Sequence, residues 1–170
     1  MKALIASTLA LVLTLPVMAQ EAPQESPSYQ DDRSSATALV QSLYNAIDRK
    51  EYLRAWSYYA ANVAAGETDE AAKADYETFK KGYENTEFVT LITGEETQEG
   101  AAGSTFYKVP VAIDAKDTAG KHTKFTGCYI MRLVQPAVQD APPFIPLHIE
   151  SGDLQPATGE LESILPKTCD

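Results

Sequence analysis

Two histidines, His122 and His148, and two cysteines, Cys128 and Cys169, are all that this chain of 170 residues holds of the side chains that most often ligate metals or act as nucleophiles and bases near neutral pH. Neither histidine stands at a recognised spacing from a cysteine, so a zinc-type ligand set is excluded on spacing. The acidic residues near Glu95, Glu96 and Glu99, and near Asp114 and Asp117, lack the loop spacing of a calcium site and read as solvated turn residues. There is no Gly-x-Ser-x-Gly elbow, no phosphate loop and no His-Glu-x-x-His helix. Basic residues are also scarce, with 14 lysines and arginines against 24 acidic groups and a formal net charge of -10. The only basic pairs are Arg49-Lys50 and Lys80-Lys81. Nucleic acids and anionic membrane surfaces draw their affinity from clustered lysine and arginine, so both are poor partners for this chain. The acidic balance serves solubility.

What is present begins at the N-terminus. Met1-Lys2 is followed by an apolar run from Ala3 to Val17 and the small-residue exit Val17-Met18-Ala19, the pattern of a secretory signal cut after Ala19 to leave a mature chain starting at Gln20. The rival fate is a membrane anchor. The run is shorter than the about 20 residues a spanning helix needs, and a polar, proline-bearing stretch follows it rather than a basic cluster. No cysteine follows it to take a lipid, and no second run approaches spanning length. The expectation is therefore a periplasmic or secreted protein that has no membrane contact once the signal is removed.

Residues 20–33, with Pro23, Pro27 and little to bury, are expected to form a flexible leader. The remaining 34–170 suit a single domain with one core. In an oxidising compartment the leading expectation for Cys128 and Cys169 is an intramolecular disulfide, with a free pair and a metal site as rivals.

From a cap at Ser34 or Ser35, the residues Leu39, Val40, Leu43, Tyr44 and Ile47 recur at helical spacing and predict a first helix. Tyr52, Ala55, Trp56 and Tyr59 predict a short second one. After an insert at Ala60 to Glu67, a cap at Thr68 and an acidic first turn open a third, on which Ala72, Tyr76, Phe79 and Tyr83 lie one turn apart up to about Glu84. Beyond Asn85, threonines, valines and aromatics predict about four strands: Glu87 to Glu96, Ser104 to Ala115, His122 to Val134 and Phe144 to Ser151. Short glycine-bearing turns join the first three as a meander. Tyr107, Val109, Val111 and Ile113 share one face, and so do Phe125, Gly127, Tyr129, Met131 and Leu133. Pro110 removes a ladder donor, which predicts an edge or a bulge there. Gly127 is expected to permit a bend. Gln135 to Pro143 is expected to be a stiff, exposed loop.

The stretch Leu43-Tyr44-Asn45-Ala46-Ile47-Asp48-Arg49-Lys50-Glu51-Tyr52 with Ala55-Trp56 resembles the first two helices of the nuclear transport factor 2-like, or ketosteroid-isomerase-like, proteins. Phe125-Thr126-Gly127-Cys128-Tyr129-Ile130-Met131-Arg132-Leu133 resembles their long penultimate strand, and Pro146-Leu147-His148-Ile149 their final one. The resemblance covers about Ser34 to Gln155. It implies an α+β fold with three N-terminal helices packed on a strongly curved antiparallel sheet of about four strands, a conical pocket, and sheets that can pair into a homodimer. That fold hosts isomerases, dehydratases, cyclases, transport adaptors and binding modules, so it does not name an activity. The family's isomerases use an aspartate base with a tyrosine and a protonated acid, and no residue here can be aligned with those roles. Its dehydratases rely on a histidine and aspartate pair, which this chain has few histidines to build.

Trp56, Tyr76, Tyr129 and His148 are the candidate pocket residues. The aromatics suit an apolar or amphipathic ligand, although helical spacing in Trp56 and Tyr76 equally suits core packing. His148 has a suitable unperturbed pKa for a base, but a lone strand histidine is more often structural. No cofactor, metal or catalytic set is implied. Three roles stay open: binding a small ligand or protein partner without catalysis, a lyase or isomerase using Tyr129 and His148 with a carboxylate, and self-association.

Overall fold

A computed structural model describes residues 26–59 and 69–169. The signal, the first part of the leader, the Ala60 to Glu67 insert and the Thr68 cap lie outside them. The described fold is α+β. Helices α1 (Ala36–Asp48), α2 (Tyr52–Trp56) and α3 (Asp69–Tyr83) precede the strands β1 (Thr86–Thr93), β2 (Thr97–Ala101), β3 (Ser104–Asp117), β4 (His122–Val134) and β5 (His148–Ala157), and a short helix α4 (Leu161–Ile164) follows. These strands pair antiparallel in the order β1, β3, β4, β5, with β2 lying beside β3 on the same edge as β1, and Tyr59 beyond α2 adds a parallel bridge to Ile149.

Helix α1 starts where the sequence places it. The Ser35 hydroxyl accepts from the Ala38 N–H at 3.1 Å and caps the first turn. The predicted stripe is buried, with Leu39, Val40, Leu43 and Ile47 fully removed from solvent. It meets the alternating inner face of β3 and β4, where Val109, Val111, Ile113, Tyr129 and Met131 are also buried. Each such aliphatic side chain contributes about 1.5–3 kcal/mol on burial, so this contact holds the domain together. The helix ends at Lys50, a non-glycine residue at φ 60. The Lys50 N–H donates to the Ile47 carbonyl and the Glu51 N–H to the Ala46 carbonyl, the paired bonds of a left-handed helix stop. A glycine would adopt that φ at less cost, but the lysine Nζ donates to the carbonyls of Thr86 and Glu87 and ties the stop to the start of β1.

Five strands replace the expected four. The strand expected from Glu87 to Glu96 is β1 and stops at Thr93, and after Gly94-Glu95-Glu96 an additional strand, β2, pairs with β3 where the chain was expected to be entering a turn. Pro110 is the cause. The Gly94 N–H donates to the Pro110 carbonyl at 2.8 Å, so the proline nitrogen, which has no hydrogen to give, faces the same gap. The strand containing Pro110 is thus interior, and it is the neighbouring edge that breaks. The released chain does useful work: a Glu96 carboxylate oxygen accepts from the Thr37 N–H at 2.9 Å and the Thr37 hydroxyl at 2.7 Å, occupying the first turn of α1.

The last strand also differs from expectation. Phe144 to Leu147 is loop, and β5 runs on to Ala157. Gly152 and Pro156, residue types that favour turns, lie inside the observed strand. Gly152 is instead held in the ladder opposite Tyr129, and a Cβ there would lie 2.7 Å from the Tyr129 ring. Gly127 has a sharper requirement. It sits at φ 155, and a Cβ would stand 1.9 Å from the Asp153 carbonyl oxygen.

The described part of the leader is not loose. Arg49 donates to the Pro27 carbonyl at 2.8 Å, Asn45 donates to the Ser28 carbonyl and accepts from the Gln30 N–H, and Ser42 Oγ accepts from the Asp32 N–H. Arg33 donates to the Leu147 and Ser57 carbonyls. These side chains supply the hydrogen bonds that an extended segment cannot make with itself. At the other end, α4 packs against β3 on the face opposite the core, where Pro110 and Ala112 are fully buried. Cys169 is bonded to Cys128, as expected, and closes a span of 41 residues. In the chain-entropy account that closure stabilises the fold by about 4 kcal/mol.

Two outcomes test this packing. Gly127→Ala introduces a methyl group where a carbonyl already stands, so its denaturation midpoint should fall by an amount worth at least about 2 kcal/mol; an unchanged midpoint would contradict the close approach of β4 and β5. Asp48 accepts from the Val89 N–H at 2.8 Å. Burial pushes its carboxyl up to about 6, outweighing the Val89 hydrogen bond and the Lys50 cation. The folded chain therefore holds this proton more tightly than the unfolded one, and the associated stability is present below about pH 4 and lost as pH rises through about 6. Asp48→Asn should flatten stability against pH across that window, as followed by urea unfolding, and an unaltered slope would exclude Asp48 as its source.

Candidate ligand pocket

A cavity of about 550 Å³ opens between the last turns of α3 and the inner face of the sheet. Phe79, Gly82 and Tyr83 form the helical wall, and Val89, Ile113, Phe125 and Leu154 line it from β1, β3, β4 and β5. Tyr44 reaches it from α1. The volume suits a small organic molecule, and the wall is predominantly apolar. Its charged members, Lys116 and Asp117, both have structural duties. Lys116 pairs with Glu87 at 3.1 Å. Asp117 accepts from the Ala119 and Lys121 N–H groups at 2.9 Å and shapes the β3–β4 turn.

Beside the wall lies a group of phenols. The hydroxyls of Tyr44 and Tyr129 are 2.7 Å apart, with their rings edge to face at 6.4 Å. Tyr59 and Tyr83 are partly buried against the core, and both rings pack on Phe79, at 5.7 and 5.0 Å. Burial drives the titration of Tyr44, Tyr59 and Tyr129 well above the ordinary phenol value, and raises that of Tyr83. All four are neutral hydrogen-bonding groups across the physiological range. A buried hydroxyl without a partner is costly, which accounts for the pairing of Tyr44 with Tyr129.

Of the residues singled out from sequence, Tyr129 lies one layer behind the wall, 2% exposed, with its ring across Gly152. Trp56 and Tyr76 belong to an aromatic cluster on the flank, where Trp56 stacks on Phe79 at 5.1 Å and stands 6.4 Å from Tyr76. They buttress Phe79, and it is Phe79 that reaches the cavity. His148 is at the other end of the β4–β5 pair, opposite Arg132 rather than Phe125. It is 4% exposed, and its ring nitrogens lie 2.8 Å from the Pro146 carbonyl and 3.3 Å from a Glu150 carboxylate oxygen.

Sequence reasoning did not single out Tyr44, Gly82, Tyr83, Phe125 or Leu154 as pocket residues. Tyr44 and Tyr83 carried a signal, as part of the phenol-rich helical half. Which phenols converge depends on how the helices cross the sheet, and periodicity along one helix does not contain that. Leu154 was missed with the register of β5.

No family model matches the chain, and no curated protein matches it. Among solved structures, the chain is similar to a protein of the NTF2-like family from Streptomyces avermitilis for which a dehydratase role has been suggested; the two are 10% identical, the match covers 72% of this chain and 94% of the other, and the TM-score is 0.47. A likeness at that level carries no argument about activity, which must come from the cavity itself.

Proposed function

We propose that this chain is an exported protein that holds a small apolar or amphipathic ligand without transforming it, in a cavity formed by N-terminal helices against a strongly curved sheet of the nuclear transport factor 2-like kind. The observation that carries the proposal is the pairing of an apolar cavity of about 550 Å³ with a floor of neutral phenols. Phenols held protonated orient a ligand by hydrogen bonding, whereas proton transfer near neutral pH calls for groups that titrate there. The lyase or isomerase alternative would use Tyr129 and His148 with a carboxylate; Tyr129 lies just behind the cavity wall, but the His148–Glu150 pair stands at the other end of the β4–β5 pairing. Export to the periplasm or beyond is supported by the N-terminal pattern and by the Cys128–Cys169 bond, which suits an oxidising milieu. Among the described residues no helix is long and apolar enough to cross a membrane. A homodimer through the sheet remains part of the proposal as an outcome of subunit counting by native mass spectrometry.

Gly82 offers the direct test of the cavity. It lines the wall, and a Cβ there would meet nothing within 4 Å. Gly82→Leu should fill the cavity from the helix side while raising helix stability by about 0.5–1 kcal/mol. Binding of the fluorescent probe 8-anilinonaphthalene-1-sulfonate should weaken about ten-fold or more, with the melting temperature unchanged or raised. Undiminished probe binding by that variant would place the ligand elsewhere. For export, intact mass of the protein from the extracytoplasmic fraction should correspond to a chain beginning at Gln20 and lighter by the two thiol hydrogens; a full-length cytosolic chain with both thiols free would refute it.

A further inference from the structure

A second pocket, of about 370 Å³, lies at the start of α1 and shares no lining residue with the cavity described above. Its volume falls within the about 300–1,000 Å³ of small-molecule sites, and Tyr107, Leu133, Phe144 and Leu147 give it an apolar wall. Arg33 and Glu96 are its charged members, and each is fixed in place by bonds that leave its charge uncompensated. The Arg33 guanidinium lies over the Tyr58 ring at 4.5 Å and donates to the Leu147 carbonyl at 3.2 Å and to the Ser57 carbonyl and hydroxyl at 3.1 and 3.2 Å. One Glu96 carboxylate oxygen takes both hydrogen bonds from Thr37, and the other has no bond among the described residues. Neither side chain forms an ion pair, with the other or with any described residue. Phe144 stays 61% exposed at this pocket, and Gln139 secures the loop behind it through the Val134 carbonyl and both backbone groups of Ile145.

We propose that this pocket binds a free apolar α-amino acid, with its carboxylate on Arg33, its ammonium on Glu96 and its side chain against Tyr107, Leu133 and Phe144. Two opposite charges that line one pocket without pairing are matched by a ligand that carries the same two charges on a single carbon. Three bonds use at most three of the five guanidinium N–H groups, so at least two remain for a carboxylate. The open Glu96 oxygen accepts from an ammonium, while its partner oxygen stays on the first turn of α1. An amine without a carboxylate would meet Glu96 but be opposed by Arg33, and a carboxylate without an amine would be opposed by Glu96. A zwitterion satisfies both and leaves the net charge of the site unchanged. Because existing bonds already hold Arg33 and Glu96, little ordering of the protein is needed on binding. The site is separate from the apolar cavity, and neither depends on the other being filled.

Four probes, titrated calorimetrically into the mature chain at neutral pH, remove one feature at a time: L-phenylalanine, L-phenylalaninamide, N-acetyl-L-phenylalanine and glycine. Phenylalanine should bind saturably at one site, about ten-fold or more tightly than each of the other three. Equal binding of phenylalanine and either blocked form by the unaltered protein would overturn zwitterion recognition, and that comparison decides even where a variant fails to fold. Glu96→Gln keeps an oxygen to accept from Thr37 but removes the charge, so the advantage of phenylalanine over its N-acetyl form should shrink to about two-fold or less. Arg33→Gln should do the same to its advantage over the amide. Advantages that survive both substitutions would overturn the placement. Gly82→Leu, in the other cavity, should leave phenylalanine binding unchanged, and its loss in that variant would also overturn the placement. Absence of saturable phenylalanine binding alongside normal anilinonaphthalene binding would reject this inference alone.

Discussion

The contact between α1 and the inner face of the sheet is the constraint on which the remainder depends. Leu39, Val40, Leu43 and Ile47 leave water only where Val109, Val111 and Met131 present an apolar surface to receive them. Once that stripe is seated, Tyr44, which shares it, enters the interior with a hydroxyl that has to find a partner. It finds Tyr129, whose own position is set by the strand alternation that buries Met131 beside it. The polar chemistry of the site is therefore a by-product of packing, arranged by the burial of neighbouring aliphatic groups. Small residues complete the arrangement: Gly152 leaves room for the Tyr129 ring, and Gly127 lets β5 approach close enough to hold Gly152 opposite it.

The two ends of the chain act on this core from outside. The described leader is tied across α1 and α2 by Asn45, Arg49, Ser42 and Arg33, and the C-terminal tail covers Pro110 and Ala112 before its disulfide to β4. Both described end segments satisfy groups that would otherwise be exposed or unpaired, and the cavity lining among the described residues comes from the helices and strands between them. Within the helical wall, Gly82 leaves open space where a side chain would meet nothing within 4 Å.

Much of the core was readable from periodicity. The α1 stripe and the alternating β3 and β4 faces follow from one local rule each, and burial bears them out. Pro110 shows where such reasoning stops. The missing donor was legible, yet a proline cannot say which neighbour must accommodate it, and the accommodation fell on the edge beside β3, turning Glu96 into a cap for α1. In β5, Gly152 and Pro156 carry turn signals that are overridden by pairing with β4, because ladder hydrogen bonds and the Tyr129 contact outweigh local preference.

Composition and pattern alone determined the α+β class, the first three helices in outline, the apolar faces of the central strands and the two sulfurs that bond, because each depends on neighbours a few residues apart or on the chain having only one such pair. Tertiary structure decided which phenols meet. Tyr44 from α1 pairs with Tyr129 from β4, and Tyr83 at the end of α3 lines the cavity beside Tyr44, an arrangement that depends on how α1 and α3 lie over the sheet, a relation between distant segments that no local spacing encodes.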